Sequence, residues 1–292
     1  MHRRLVLLRK ARHRIAARAG SLGEAGGSPG AAARCGTLAG EVLPLLDACR
    51  CLEREARRIL APRRPRGRGR PFWLRGMDLE IFRAPLGVVL IIGPSRHPLF
   101  APGLMAIQAL AAGNSVILEP GEGGTAVAKA FQGCLVDSGL DARLFQILPE
   151  AGAAGEAFRA GVDKVLLTDA AKTGAAGLDD VNVIARNVIA ADVIIPDVIA
   201  PTIVPAADTR LPFGGRERGG QGVPRGAGGL LELTRVKAVA VRKRKSHRHV
   251  EELRPQDEKI LDSYLRAAHC GTLRERLAAR GTLLRSLRKR LS

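Results

Sequence analysis

The sequence predicts an α/β fold: a partial parallel sheet with helices on both faces, flanked by a helical N-terminal region and a helical basic C-terminal tail. Three observations predict it. Short apolar runs at 87–93, 115–120, 144–149 and 163–168 alternate with helical stretches at 99–112, 124–138 and 151–160. That alternation is βαβ spacing, which implies parallel strands joined by right-handed crossovers. The first run, GVVLIIG, is apolar and rich in β-branched residues, as suits a strand buried on both faces. A sheet of this kind is Rossmann-like and takes its ligands at the carboxyl ends of its strands.

The elements follow in order. Residues 3–18 read as a basic helix, and 19–34, made of Gly, Ala, Ser and Pro, as a loop. Residues 36–60 form an amphipathic helix, with Leu38, Val42, Leu45, Leu46, Cys49, Leu52, Ala56 and Ile59 on one core-facing stripe. Pro44 is expected to kink it near its start. Residues 1–61 are thus a helical region, and 62–84 a basic linker and lead-in. Its PRRPRGRGRP stretch lacks the interleaved aromatics of a single-strand nucleic-acid binder and reads as a solvated connector. The α/β unit fills 85–177. Within 178–243, the apolar run 181–200 reads as one or two strands, 211–229 as a glycine-rich loop and 236–243 as a strand. In the basic helical tail, 244–292, residues 255–292 read as two helices on the surface, with contact to a polyanion as the functional alternative.

Composition bounds the function. The chain has 292 residues, 46% hydrophobic, with a mean hydropathy of +0.02, so it is long and apolar enough to bury a core. The formal net charge is +19. Such a charge attracts polyanions, but Arg, Ala and Gly are abundant together and no nucleic-acid motif accompanies them, which disfavours that partner. The five cysteines form no CxxC pair and no complete disulfide framework, pointing to a reducing, cytoplasmic setting. An Arg-rich start leaves an organelle transit peptide as a lesser alternative. No apolar run is long enough to span a membrane.

Four strand-end loops are placed to carry chemistry: Gly93–Pro98, Glu119–Glu122, Pro149–Glu150 and Thr168–Gly174. None contains GxGxxG or GxxxxGK[ST], so the usual phosphate cradles are absent. Glu119 closes the second strand. A carboxylate there accepts hydrogen bonds from both ribose hydroxyls and repels a 2′-phosphate, unless it is an ordinary solvated Glu.

The segments PLGVVLIIGPSRHPLF, ALAAGNSVILEP, VDKVLLTDAAKTG and LPFGG, in that order, resemble the aldehyde dehydrogenase superfamily. EVLPLLDACRCLEREARRIL and LTRVKAVAVR are similar to it as well, so the likeness covers most of 36–243. The resemblance implies a dinucleotide-binding domain that dispenses with GxGxxG, and oligomers built by exchanged strands. It implies NAD as cofactor, contacted by Ile92, Pro94, Glu119, Glu122, Thr168, Asp169 and Thr173, and a substrate contact at Phe213.

The departures from the family are equally specific. Arg96 stands where the family has the Asn of its oxyanion hole. Glu119 replaces a Lys, and Asp169 replaces a Gly that lets the cofactor approach the backbone, setting a carboxylate beside its phosphates. After Gly174 the chain passes through a short segment to PDVIAP, which resembles a region near the family's C-terminus. The intervening stretch of the family carries the nucleophilic Cys and the water-activating Glu, and none of the five cysteines here falls in a matching place. The resemblance therefore implies a truncated, inactive relative of an enzyme that oxidises aldehydes with NAD. The alternatives are a non-catalytic partner of a full-length paralogue and a basic nucleic-acid-binding module. An open sheet edge beside the apolar run 181–200 leads to the expectation of an oligomeric or poorly soluble chain.

Overall fold

The computed structural model describes residues 1–26, 30–65, 77–149, 153–167, 188–190, 226–242 and 257–291. The chain divides into two compact units, 1–64 with 80–239, and 65–79 with 240–292. Among the described residues, β1 (Met77–Pro85) pairs with β7 (Thr234–Arg242) as a two-stranded sheet. The main sheet holds β2 (Val88–Ile92), β3 (Ser115–Glu119), β4 (Phe145–Ile147), β5 (Lys164–Leu167) and β6 (Val188–Ala190). Its order is β4-β3-β2-β5-β6 and every pairing is parallel, as the βαβ spacing predicts.

Strand side chains alternate between two cores, the period-2 consequence of the pleat. Val89, Ile91, Val116, Leu118 and Leu166 join the larger core. Leu90, Ile92, Val165 and Leu167 join the smaller one, with Ala154. The larger core is covered by α1 (His2–Ala17), α4 (Leu43–Ile59), α5 (Phe100–Ala112) and α6 (Thr125–Val136). α7 (Ala154–Arg159) covers the other face. Nearly all of α5 is buried, which is why its sequence is apolar all round and shows no polar stripe. Phe131 of α6 meets Phe145 of β4 edge to face at 5.7 Å, an arrangement that adds about 1 kcal/mol beyond area burial. On α4 and the turn before it, Val42, Leu45, Cys49, Leu52 and Ala56 are buried, and Leu38, Leu46 and Ile59 pack against them, so the predicted stripe is the core face.

Four local expectations are corrected. Most of the expected loop 19–34 is helical instead, in α2 (Ala19–Gly26) and α3 (Ala31–Thr37). Their glycines weaken the helices, but Leu22 is anchored in the core. The 36–60 helix is interrupted by a π turn at Leu38–Val42, and Pro44 lies in the first turn of α4 directly after it. The ladder thus changes register where proline has no N–H to give. The lead-in before residue 85 contains β1, whose partner lies some 150 residues away and leaves no local signal. The supposed loop 211–229 turns helical at α8 (Gly226–Glu232), where buried Leu230 supplies the anchor that glycine propensity lacks.

The second unit contains α9 (Glu258–His269) and α10 (Leu273–Leu291), the two helices expected of the tail. They pack against each other, and their buried positions are small: Ser263 and Ala267 on α9, Ala279 on α10. Thr272 Oγ1 accepts the Glu275 N–H at 3.3 Å and donates to its carboxylate at 2.6 Å, capping the start of α10. Among the described residues, no helix is long and apolar enough to cross a membrane.

Candidate functional site

The strand order reverses between β2 and β5, since β3 and β4 lie on one side of β2 and β5 and β6 on the other. Such a switch point opens a crevice at the carboxyl ends of the strands. Two loops of its mouth are described, Gly93–Pro98 after β2 and Pro120–Gly124 after β3. They are clasped to each other. The Gly93 N–H donates to the Glu119 carbonyl at 2.8 Å. A Cβ on Gly121 would collide with the Pro94 carbonyl, so glycine alone lets the two backbones meet.

The far end of the first loop is fixed by a residue distant in sequence. Glu41 is 2% exposed, and its Oε2 accepts the Leu99 N–H at 2.7 Å and the Phe100 N–H at 3.1 Å. These are donors at the start of α5 that the helix itself leaves unpaired. His97 takes a positive φ of 54°, uncommon for a residue with a Cβ, and its Nδ1 lies 3.9 Å from Glu41 Oε1. The loop is therefore held at both ends while Ser95, Arg96 and His97 project into solvent.

A second buried side chain braces the base of the same elements. Asn114 Oδ1 accepts the Gly87 N–H at 3.0 Å, and its Nδ2 donates to the carbonyls of Ala109 at 3.2 Å and Leu233 at 2.9 Å. One amide thus joins the end of α5, the lead into β2 and the turn before β7. Neither Glu41 nor Asn114 stands out in the sequence reading. The available signals were an acidic residue in an otherwise apolar stripe and an Asn directly after a helix-ending Gly.

The sequence-predicted site residues separate on inspection. Ile92 is 2% exposed and packs in the smaller core. Pro94 is half-buried against Gly121, and Arg96 and Glu122 are exposed. Glu119 is 5% exposed, and its Oε2 accepts the Ala154 N–H at 2.5 Å. The structure therefore brings Pro94 and Glu119 together at the clasp. Thr168, Asp169, Thr173 and Phe213 lie outside the described residues. At this mouth Glu119 Oε2 already accepts the Ala154 N–H, and Pro94, Pro98 and Pro120 have no N–H to offer a phosphate.

All five cysteines are described and none lies in the two loops. Cys35 is exposed on α3, Cys51 half-buried on α4, and Cys270 follows the end of α9. Cys49 is buried in α4, where desolvation pushes its thiol up to about 12. Cys134 is buried in α6 and is raised for the same reason. A cavity of about 270 Å³ touches Cys51, Leu52, Leu104, Gln108 and Gly226, and among the described residues its walls are helices.

A sequence model described as "Aldehyde dehydrogenase family" matches residues 1–177. It thus takes in the first 35 residues as well and stops before the later segments. Benzaldehyde dehydrogenase of Bacillus subtilis (strain 168) is 37% identical over 84 residues, 27% of this chain and 17% of its own length. N-succinylglutamate 5-semialdehyde dehydrogenase of Pseudomonas fluorescens (strain Pf0-1) is 36% identical over 92 residues, 31% of this chain and 19% of its own length. The chain thus spans less than a fifth of these curated relatives. Among solved structures, an aldehyde dehydrogenase from Brucella melitensis biovar abortus 2308 is 25% identical with a TM-score of 0.52. The likeness covers 64% of this chain and 38% of that one. An NAD+ complex of a Bacillus cereus aldehyde dehydrogenase shares the fold at 19% identity and a TM-score of 0.55, covering 65% of this chain and 38% of that one.

Proposed function

Because this chain belongs to the aldehyde dehydrogenase family, we propose that it is a non-catalytic member, a truncated remnant of the cofactor-binding domain that binds NAD weakly and oxidises no aldehyde. One observation carries the reading: none of the five cysteines lies in the described loops at the carboxyl edge of the sheet. Two of them are buried thiols whose burial opposes the thiolate that attack on a carbonyl needs. Arg96, projecting at the family's oxyanion-hole position, supports the same reading. The test is the purified chain with NAD and a panel of short, long and aromatic aldehydes, followed at the reduced-nicotinamide absorbance. We expect no turnover. Turnover that survives changing all five cysteines to Ser would overturn both the family mechanism and this reading. Turnover abolished by a single cysteine change would identify a nucleophile.

The weakness of the NAD site follows from Glu119. A ribose diol would share its Oε2 with the Ala154 N–H, and a 2′-phosphate would meet it as a like charge. Asp169 adds a second carboxylate opposed to either pyrophosphate. A small rise in melting temperature with NAD and none with NADP is the expected result at equal concentrations. Equal or greater stabilisation by NADP would remove the role given to Glu119. Free thiols fit a reducing, cytoplasmic setting.

A further inference from the structure

The tail helices lie beyond the residues matched by the family, and α10 presents an unusual surface. Leu273, Leu277 and Leu284 are 73%, 56% and 62% exposed. At 100° per residue these positions fall within about 40° of one another, a single stripe about 17 Å long. The buried side of the helix is elsewhere, at Ala279. α10 carries seven basic residues, Arg274, Arg276, Arg280, Arg285, Arg288, Lys289 and Arg290, against one acidic residue, Glu275. Arg280 flanks the leucine stripe on one side and Arg274 on the other, about 40° and 80° from its centre. Neither has an ion-pair partner among the described residues. Glu275 lies on the opposite side, turned back to Thr272 at the helix cap.

We propose that α10 is a docking surface for an anionic lipid bilayer, its leucine stripe entering the headgroup boundary and its arginines meeting the lipid phosphates. Charge complementarity selects the occupant. A second copy of α10 would bring two sets of arginines together. A nucleic-acid duplex would satisfy the arginines but give exposed leucines nothing to bury against, and α10 has no aromatic side chain to stack on a base. Protruding leucines bordered by arginines suit a deformable apolar surface beneath anionic headgroups. α9 is not part of this surface. Its exposed Leu261 and Leu265 neighbour Glu258 and Asp262, of which Asp262 is paired with Arg266 at 3.1 Å.

The test is co-flotation of the full chain with vesicles of neutral phosphatidylcholine alone or with about one third phosphatidylserine. We expect at least tenfold stronger retention on the anionic vesicles, weakening as salt rises. Since other basic segments also attract anionic vesicles, the leucines discriminate. Leu273→Ser, Leu277→Ser and Leu284→Ser together should reduce retention at least tenfold while the far-ultraviolet circular dichroism stays unchanged. Arg274→Gln with Arg280→Gln should reduce it by about fivefold per arginine. A separate Leu277→Trp variant should shift its emission to the blue only with anionic vesicles, which reads insertion without removing the charge. Equal retention on neutral vesicles overturns the proposal, as does retention indifferent to the leucine changes or no blue shift at position 277. A leucine variant that changes the sedimentation of the lipid-free chain would instead assign the stripe to self-association.

Discussion

Glu41 shows how much one buried carboxylate decides here. It sits 2% exposed in the π turn and holds the start of α5, and through it the loop that projects Arg96. Burying a carboxylate is costly unless its oxygens are used, and the two N–H donors are the compensation. Glu41→Ala leaves both donors buried without an acceptor. It should lower the unfolding free energy by about 2–4 kcal/mol in urea titration, whereas Glu41→Gln, which keeps a carbonyl acceptor, should cost about half of that. Equal losses for the two variants would show that the side chain merely fills space. The cysteines give a second check at this scale. Cys35 is exposed and Cys49 is buried with its thiol at about 12, so maleimide at neutral pH should label Cys35 and leave Cys49 untouched until the chain unfolds. Rapid labelling of native Cys49 would contradict its burial in α4.

At the scale of elements, the crevice exists because β2, β3 and β5 end together and their connections are pinned from below. Asn114 does the pinning, with one acceptor to Gly87 and two donors to Ala109 and Leu233. Removing it with Asn114→Ala should cost about 1–3 kcal/mol, since the Gly87 N–H and the Leu233 carbonyl lose this partner while the Ala109 carbonyl keeps the backbone N–H groups of Gly113 and residue 114. The loss should speed amide exchange at the end of α5 and around β7 together, because a single side chain couples them. Exchange confined to α5 would show that the bond to Leu233 carries no weight. β1 and β7 illustrate the same non-locality. β7 was legible from its run of Val and Ala, whereas its partner gave no such run within the lead-in.

For the molecule as a whole, a net charge of +19 opposes indiscriminate clumping but does nothing for an open strand edge. β6 pairs with β5 within the chain, through Val188 with Val165 and Ala190 with Leu167, so part of the apolar run 181–200 extends its own sheet. In the described sheet β4 is the opposite edge, and its Phe145, Gln146 and Ile147 carry no charge to guard it. Self-association through this edge should appear as a sedimentation coefficient that rises with concentration. Gln146→Lys, at an exposed position on the edge, should return it towards the monomer value. A coefficient independent of concentration in the unaltered chain would mean that the sheet is already closed to other chains.

The sequence by itself determined the parallel α/β unit, its strand and helix spacing, the core stripe of α4 and the two tail helices. Each of these follows from a local period of apolar residues, which burial on a strand face or helix face imposes directly. It also carried the family likeness in the loops 93–98 and 119–122. Only the tertiary structure decided what holds those loops in place. Glu119 reads as a ribose acceptor in the sequence, and only the fold shows that α7 brings the Ala154 N–H onto its Oε2. Arg96 is exposed because Glu41, 55 residues earlier, fixes the end of its loop. The helices at 19–26 and 31–37 form although glycine weakens them, because the core behind them accepts Leu22 and Thr37. Side-chain hydrogen bonds between distant residues have no period along the chain, so a sequence shows the groups that make them but not their partners.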